Sequence, residues 1–338
     1  MPEYTFTPEV VRITVLVGVV LSMLVYERIQ LTTGGAIVPA YLALALGRPV
    51  AVAVTLGIGH LTFVLVNRVI GRRRILYGRR KFEIEVLVGL GLVMVTALAA
   101  RALGHLDPSL AGITGIGFLV PGIIAHDMAR QRPGRTVLVV LATTAFLGVV
   151  AWLASVLLAI APGAALDQPM HLASVTGYPR EILLYAVALS VLVGMVVFSR
   201  LGLRSGGFVT GAYLALVGPR WSDLAFTAVV ALVTWALVVH VLMPRLLLFG
   251  RRKLAAMLLV GSVVAWSVEI VMTALSQGDF IPWRGLTAAT VVVPSLIAND
   301  AQRQGWERTV WGTTLTATGV YAGACLVAAA TMTIGGLP

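Results

Sequence analysis

Cysteine and charged residues are both scarce in this sequence of 338 residues. A single cysteine, Cys325, excludes a disulfide framework or a cysteine-based zinc site within one chain. Charged residues make up only 12% of the sequence, against about a quarter in soluble globular proteins, and 59% of the residues are hydrophobic. This composition excludes a soluble globular protein.

The short motifs of soluble enzymes are also missing. The sequence contains no P-loop, no HExxH zinc motif, no GxSxG nucleophile elbow and no GxGxxG dinucleotide fingerprint. Nothing in the chain is therefore expected to activate ATP. Any chemistry that needs ATP has to come from a partner.

Long apolar runs take the place of these motifs. Runs such as 137–161 and 224–243 are long enough to cross a hydrocarbon core of roughly 30 Å as helices. They are continuous, whereas the strands of a membrane barrel alternate apolar and polar residues. The sequence therefore predicts an all-α integral membrane protein, built as a polytopic helix bundle.

The sequence repeats itself with a spacing of about half its length. Residues 40–44 (AYLAL) recur at 212–216, and residues 78–81 (GRRK) recur at 250–253. A stretch with three prolines separates the two copies and is typical of a polar loop. The predicted organisation is a first copy at 1–161, an extracytoplasmic linker at 162–179 and a second copy at 180–338.

Each copy contains four long apolar segments and two short ones. The long segments are 10–26, 50–70, 84–103 and 137–161 in the first copy, and 182–198, 224–243, 254–275 and 310–330 in the second. The short segments are 34–46, 113–125, 206–217 and 286–298. At about 18 to 20 Å as helices, the short segments fall short of the hydrocarbon core.

Glycine and proline in the short segments predict breaks in their helices. Paired interrupted segments are typical of a transport or binding path, and close helix packing through small residues is the alternative interpretation. The residues concerned are Gly34, Gly35, Pro39, Pro121, Gly122, Gly206, Gly207 and Pro294.

Basic residues outnumber acidic ones by 25 to 14, and their positions indicate orientation. If all six segments of a copy cross and the N-terminus lies outside, most Lys and Arg residues fall on the cytoplasmic side. This count favours two parallel repeats in the cell membrane with cytoplasmic basic loops. A version in which both short segments re-enter stays open. We interpret most of the charge as serving topology and lipid headgroups, not nucleic acid.

Four acidic residues near or inside the spans are candidates for function. Asp127 and Asp300 occupy equivalent positions beside basic residues, which also fits salt-bridged helix ends. Glu27 closes the first long segment. Glu269 lies inside an apolar run, where acidic residues are functional candidates, and Ala97 is its counterpart in the first copy.

Two histidines, His60 and His240, also lie in the spans. A histidine in a helix bundle is either a hydrogen-bonded packing residue or part of a proton relay, and both interpretations stay open.

Several blocks of the sequence resemble the PgsC/CapC family of poly-γ-glutamate biosynthesis. Residues 75–82 (ILYGRRKF) and 250–258 (GRRKLAAML) are similar to its GRRKFAAM-type loop. Residues 120–125 (VPGIIA) and 293–299 (VPSLIAN) are similar to its VPGLIAN block. Glu27 followed by a Val-Pro-Ala-Tyr stretch resembles its first-helix glutamate and VPGY stretch. The chain therefore resembles a tandem fusion of two family members.

The resemblance departs from the family pattern at a few positions. His126 stands where the family has asparagine, Ser199 replaces glutamate in the second copy, and Thr210 with Gly211 stands in for Val-Pro. These departures suggest that the second copy is specialised.

The resemblance implies a membrane subunit of a poly-γ-glutamate synthase and export complex in the bacterial plasma membrane. The implied partners are a cytoplasmic Mur-ligase-like amide ligase that uses ATP and Mg²⁺, other membrane-anchored synthase subunits, the polymer and membrane lipids. It implies no independent catalysis, and neither a metal nor a cofactor in this chain. A stand-alone secondary transporter for a small organic acid or amino acid, with Glu269 or His60 as proton carrier, is the alternative function. A purely structural anchor ranks third.

The basic loops fit this implication because poly-γ-glutamate carries one carboxylate per residue. They are expected to dock the ligase or to receive the polymer, and the broken segments are expected to line its path. The predicted docking residues are Arg79, Arg80, Lys81, Arg251, Arg252 and Lys253.

Overall fold

A computed structural model describes residues 6–73, 75–104, 116–160, 180–276 and 287–335. Within these ranges the regular elements are all helices. Eight of the described helices are long and apolar enough to cross a membrane. The chain is therefore an all-α polytopic membrane protein, which confirms the predicted fold class.

The chain divides into two compact units, Met1–Pro169 and Met170–Pro338. Each unit contains one of the two sequence copies. The linker predicted at 162–179 lies outside the described residues.

The first copy alternates long and short helices in the order long, short, long, twice over. These helices are α1 (Pro8–Ile29), α2 (Val38–Leu44), α3 (Pro49–Arg73), α4 (Gly78–Gly104), α5 (Val120–Gln131) and α6 (Pro133–Ile160). Prolines stand in the first turn of α1, α2, α3 and α5, where the missing N–H has no intrahelical partner to lose.

The two short helices of the first copy pack between long ones. Helix α2 contacts α1 and α6, and α5 contacts α3, α4 and α6. The side chains of Leu42 on α2 and Ile124 on α5 are completely buried and belong to the same apolar cluster. Burial of these apolar side chains holds the short helices in place, although they are too short to span a membrane alone.

The second copy repeats this order of helices. They are α7 (Arg180–Leu201), α8 (Phe208–Val217), α9 (Trp221–Leu246), α10 (Gly250–Leu275), α11 (Thr287–Gln304) and α12 (Trp306–Gly335). Helices α3 and α9 each contain a π-helical turn at an equivalent place, Leu65–Ile70 and Leu237–Leu242.

The backbone turns at glycines immediately before three of the short segments' helices. Gly34 and Gly35 precede α2 with φ angles of 78° and 100°, and Gly206 and Gly207 precede α8 with 74° and 94°. Gly117 precedes α5 with a φ of 66°. Such left-handed conformations strain any residue with a Cβ, so these turns require glycine.

Pro294 does not break its helix, contrary to the prediction. Helix α11 runs through it without interruption from Thr287 to Gln304. Proline removes one backbone hydrogen bond, but α11 is packed against α9, α10 and α12, and such packing allows a membrane helix to keep an internal proline.

Candidate functional site

A glutamine at the end of α5 holds the loop before α2, and a glutamine at the end of α11 holds the loop before α8. In the first copy, the Gln131 Oε1 accepts from the Thr32 N–H at 2.6 Å, and its Nε2 donates to the Thr32 carbonyl at 2.6 Å and the Thr136 hydroxyl at 3.1 Å. We call this arrangement the glutamine clamp.

The second copy contains the same glutamine clamp. Gln304 exchanges two hydrogen bonds of 2.9 Å with the backbone of Arg204 and donates to the Thr309 hydroxyl at 3.1 Å. In both copies the clamp ties the loop before the glycine turn to the last turn of α5 or α11.

The two predicted aspartates lie beside the clamps. Asp300 Oδ2 accepts a hydrogen bond of 3.1 Å from the N–H of Gly206, and its Oδ1 lies 4.0 Å from the Arg204 guanidinium. Asp127 is buried at the equivalent position of α5. The geometry of Asp300 assigns it a role in holding the glycine turn, in addition to its ion pair.

A buried glutamate that the sequence analysis did not select lies close to this end of the first copy. Glu85 on α4 is completely buried, and its Oε2 lies 2.6 Å from Nδ1 of His126 on α5. Its Oε1 lies 3.9 Å from the Lys81 ammonium and 3.5 Å from Nδ2 of Asn67, in the π-helical turn of α3. Three helices therefore contribute a polar group to one buried carboxylate, which compensates for its lost hydration.

The second copy replaces this carboxylate and its imidazole together. Met257 stands at the position of Glu85 and is completely buried, while Asn299 stands at the position of His126. Lys253, the counterpart of Lys81, is also buried, and its Nζ donates a hydrogen bond to Oε1 of Gln302. The two copies share a backbone arrangement but differ in charge at this end.

The structure separates the six predicted docking residues into buried and exposed groups. Arg80 and Arg252 are exposed, whereas Lys253 is buried and cannot form part of an exposed docking surface. Arg79 is half-buried and pairs with Glu83 at 2.7 Å. Lys81 and Arg251 are half-buried as well.

The remaining predicted polar residues are half-buried or exposed. Glu27 is half-buried near the end of α1, and Glu269 is half-buried near the end of α10. His60 is exposed on α3, and His240 is exposed with its ring 5.0 Å from that of Trp235.

The predicted path residues take part in tight packing where the structure describes their surroundings. A Cβ on Gly122 would lie 2.6 Å from the Val86 Cα, so α4 and α5 touch backbone to backbone there. At Gly35 and Gly207 the nearest groups are side chains of Ile123 and Leu296. This geometry favours close helix packing at Gly122 over an open path.

Pairing between helices is the reason why Glu85 and Gln302 escaped the sequence analysis. Glu85 and His126 are 41 positions apart, and nothing in the periodicity of either helix reveals that they meet. Comparison of the two copies could have indicated this pair, because the Glu85 and His126 positions both differ between the copies.

Comparison with known proteins bears on the family of the chain. The family model described as "Capsule biosynthesis CapC" matches it twice, over residues 17–137 and 189–310. "Capsule biosynthesis protein CapC" of Bacillus anthracis is 36% identical over 141 residues, which are 40% of this chain and 93% of the relative. "PGA biosynthesis protein CapC" of Bacillus subtilis is 35% identical over 120 residues, 35% of this chain and 78% of the relative.

No solved structure matches the chain. The two regions matched by the family model together cover well over half of the sequence, one in each copy. They confirm the resemblance that the GRRK and Val-Pro blocks indicated. The chain belongs to the CapC family of capsule biosynthesis proteins, with two family domains in tandem.

Proposed function

We propose that this chain is the membrane subunit of a poly-γ-glutamate synthase and export complex in the bacterial plasma membrane. The observation that carries the proposal is the double match to the CapC family model, together with relatives named for capsule and PGA biosynthesis. The chain supports the passage of the polymer, and a separate enzyme makes the amide bonds.

The enzyme partner is a cytoplasmic Mur-ligase-like amide ligase that binds ATP and Mg²⁺ and activates glutamate carboxylates. Other membrane-anchored subunits complete the complex. This division of labour agrees with the sequence, which contains no P-loop and no GxSxG nucleophile elbow.

The exposed arginines around the start of α4 form one docking surface for the ligase in the first copy, and those around the start of α10 form another in the second copy. Both surfaces attract the acidic product. These residues are Arg72, Arg73, Arg80, Arg245 and Arg252. They lie at the ends of apolar spans, where the positive-inside rule places the cytoplasm. Since the side chains are exposed, added salt screens their attraction and weakens docking.

Purification of the chain from its native membrane tests the proposal. Mass spectrometry of the recovered proteins is expected to identify an amide ligase, and the preparation is expected to incorporate labelled glutamate into polymer when ATP is added. Recovery of the chain alone, combined with ion-coupled uptake of glutamate by vesicles that contain only this protein, would favour the secondary transporter instead.

Charge reversal at Arg80 and Arg252 tests the docking surface. The double variant Arg80→Glu, Arg252→Glu is expected to recover less ligase and to form less polymer at an equal membrane level. Arg48→Glu is the matched control, because Arg48 lies at the opposite end of α3 from the loop before α4. Equal losses in both variants would contradict the assignment of the surface.

A further inference from the structure

Lys253 is a buried cation whose hydrogen-bond partner is a neutral amide. The residue is 7% exposed, and its Nζ donates to Oε1 of the Gln302 side chain. None of the salt bridges between described residues joins Lys253 to a carboxylate. A buried ammonium is costly unless a negative charge compensates for its lost hydration, so this position favours an anionic ligand.

Two further cations lie around Lys253. Arg303 follows Gln302 on α11, and the Arg204 guanidinium lies 4.0 Å from the Asp300 carboxylate. The charges of Arg303, Asp300 and Arg204 all act on the charge of Lys253. Arg303 is exposed and Arg204 is half-buried, so the cations of this cluster differ in their access to solvent.

A buried hydrogen-bond acceptor lies one helical turn from Gln302. Asn299 is 6% exposed, and its Oδ1 has no hydrogen-bond partner. Residues three positions apart share a face of a helix, so Asn299 lies on the side of α11 from which Gln302 reaches Lys253. Because buried polar atoms are normally satisfied, this oxygen is suited to accept a hydrogen bond from an N–H or O–H group of a ligand.

The first copy fills the equivalent position with a carboxylate of its own. Lys81 lies 3.9 Å from Glu85, and His126, at the position of Asn299, lies 2.6 Å from the same carboxylate. The second copy has Met257 in place of this glutamate. The ammonium of Lys81 therefore has a carboxylate at 3.9 Å, whereas none of the ion pairs between described residues joins the ammonium of Lys253 to a carboxylate.

We propose that the second copy holds a binding site for a carboxylate, formed by Lys253, Gln302 and the guanidinium groups of Arg204 and Arg303, with Asn299 accepting an adjacent N–H. In the first copy the corresponding ammonium, that of Lys81, already has the Glu85 carboxylate at 3.9 Å. These groups contact the carboxylate oxygens directly, and no covalent bond is made or broken.

A γ-linked glutamyl unit fits both halves of this site, and this identification rests on the proposed function. Its α-carbon carries a carboxylate and the amide N–H of the chain, so one unit supplies the anion and the donor together. Free glutamate carries the same carboxylate with an ammonium group in place of the amide. The second copy is therefore the one that binds the glutamate chain or its building block.

Binding of a synthetic γ-linked glutamate oligomer to the full chain tests the proposal. The protein is placed in nanodiscs of neutral lipid, so that anionic headgroups do not compete, and the dissociation constant is measured by microscale thermophoresis. Gln302→Glu provides Lys253 with an internal carboxylate of nearly unchanged shape. The new carboxylate competes with the oligomer for Lys253, so the hydrogen bond between the oligomer and this charged group is lost. The variant is therefore expected to bind the oligomer about tenfold more weakly or worse.

Ala129→Glu is the matched control, because Ala129 is the residue of the first copy at the position of Gln302. It adds the same charge and is expected to leave the dissociation constant unchanged. Equal weakening by both variants would show a general charge effect and overturn the proposal. Met257→Glu, which copies the first-copy arrangement, is expected to act like Gln302→Glu.

Three other ligands distinguish the source of the carboxylate. Free glutamate that competes with the oligomer identifies the building block as a second ligand of the same carboxylate site. A γ-linked isoglutamine oligomer, whose α-carboxylates are replaced by uncharged carboxamides, is expected not to bind. Inorganic phosphate that competes as well as glutamate, or an oligomer that does not bind the unaltered chain, would overturn the site.

The outcome for the site can be separated from the outcome for the proposed function. Oligomer binding that follows the variants, with no ligase recovered from the native membrane, leaves the site in place and contradicts the synthase complex. Recovery of an active complex, together with oligomer binding that Gln302→Glu does not weaken, supports the synthase complex and contradicts the site.

Discussion

Gly122→Ala is expected to be the most damaging single-methyl change in the first copy. The new Cβ would lie 2.6 Å from the Val86 Cα and 3.0 Å from the Glu85 carbonyl oxygen. Both atoms belong to the backbone of α4, so no side-chain rotation relieves the contact. To reach an ordinary separation of about 3.4 Å, α5 has to move away from α4 by about 0.8 Å.

This displacement acts on the hydrogen bond between the same two helices. The 2.6 Å contact between Glu85 and His126 would lengthen towards the limit of a hydrogen bond. Overpacking costs about 1–3 kcal/mol, and weakening a hydrogen bond to a charged group costs up to about 1.5–3 kcal/mol more. We therefore expect a loss of about 2–5 kcal/mol in the free energy of unfolding.

Unfolding in mixed detergent micelles, titrated with a denaturing detergent, measures this change. Gly91→Ala is the matched control on α4, because a Cβ there meets no atom within 4 Å. Alanine has the higher helix propensity, so the control is expected to be neutral or stabilising by about 1 kcal/mol at most. Equal stabilities for Gly122→Ala and Gly91→Ala would refute the backbone contact.

Three further changes probe the first copy. Gln131→Ala removes the glutamine clamp and is expected to cost about 1–3 kcal/mol of stability, seen as faster proteolysis of the loop before α2. Glu85→Met is expected to destabilise the chain. Adding His126→Asn gives the pair found in the second copy and is expected to recover part of the loss. A double-mutant cycle is expected to give a coupling free energy of about 0.5–3 kcal/mol between the two positions. Gly35→Ala strains a φ of 100° and is expected to lower polymer output and thermal stability, whereas Gly57→Ala, with open space around its Cβ, is expected to change neither.

The sequence predicted the features that depend on composition and on order along the chain. Apolar runs gave the long helices, and the spacing of residues 40–44 and 78–81 revealed the duplication. The glycine pairs at the short segments also predicted turns, because left-handed backbone is a local property of glycine.

Features that depend on how helices meet were not predictable in this way. Pro294 looked like a helix breaker, yet the packing of α11 overrides its local preference. Lys253 looked like an exposed loop residue, but α10 begins three residues earlier and turns its side chain towards α11. Local sequence carries no record of the neighbouring helix, so the pairing of Lys253 with Gln302 and of Glu85 with His126 had to come from the structure.

The glutamine clamp has a consequence for how the chain is made. Thr32 and Gln131 are 99 positions apart, and Arg204 and Gln304 are 100 positions apart. While the ribosome is still synthesising the early helices of a copy, the glutamine of its clamp has not yet been made. The backbone groups of the loop before α2 or α8 therefore cannot form the clamp at that stage. Each clamp can form only after the fifth helix of its copy has followed into the membrane, and long-range contacts of this kind delay folding. Because both ends of a clamp lie within one compact unit, the first copy can close before the second has left the ribosome, and a translational pause between them would favour ordered assembly.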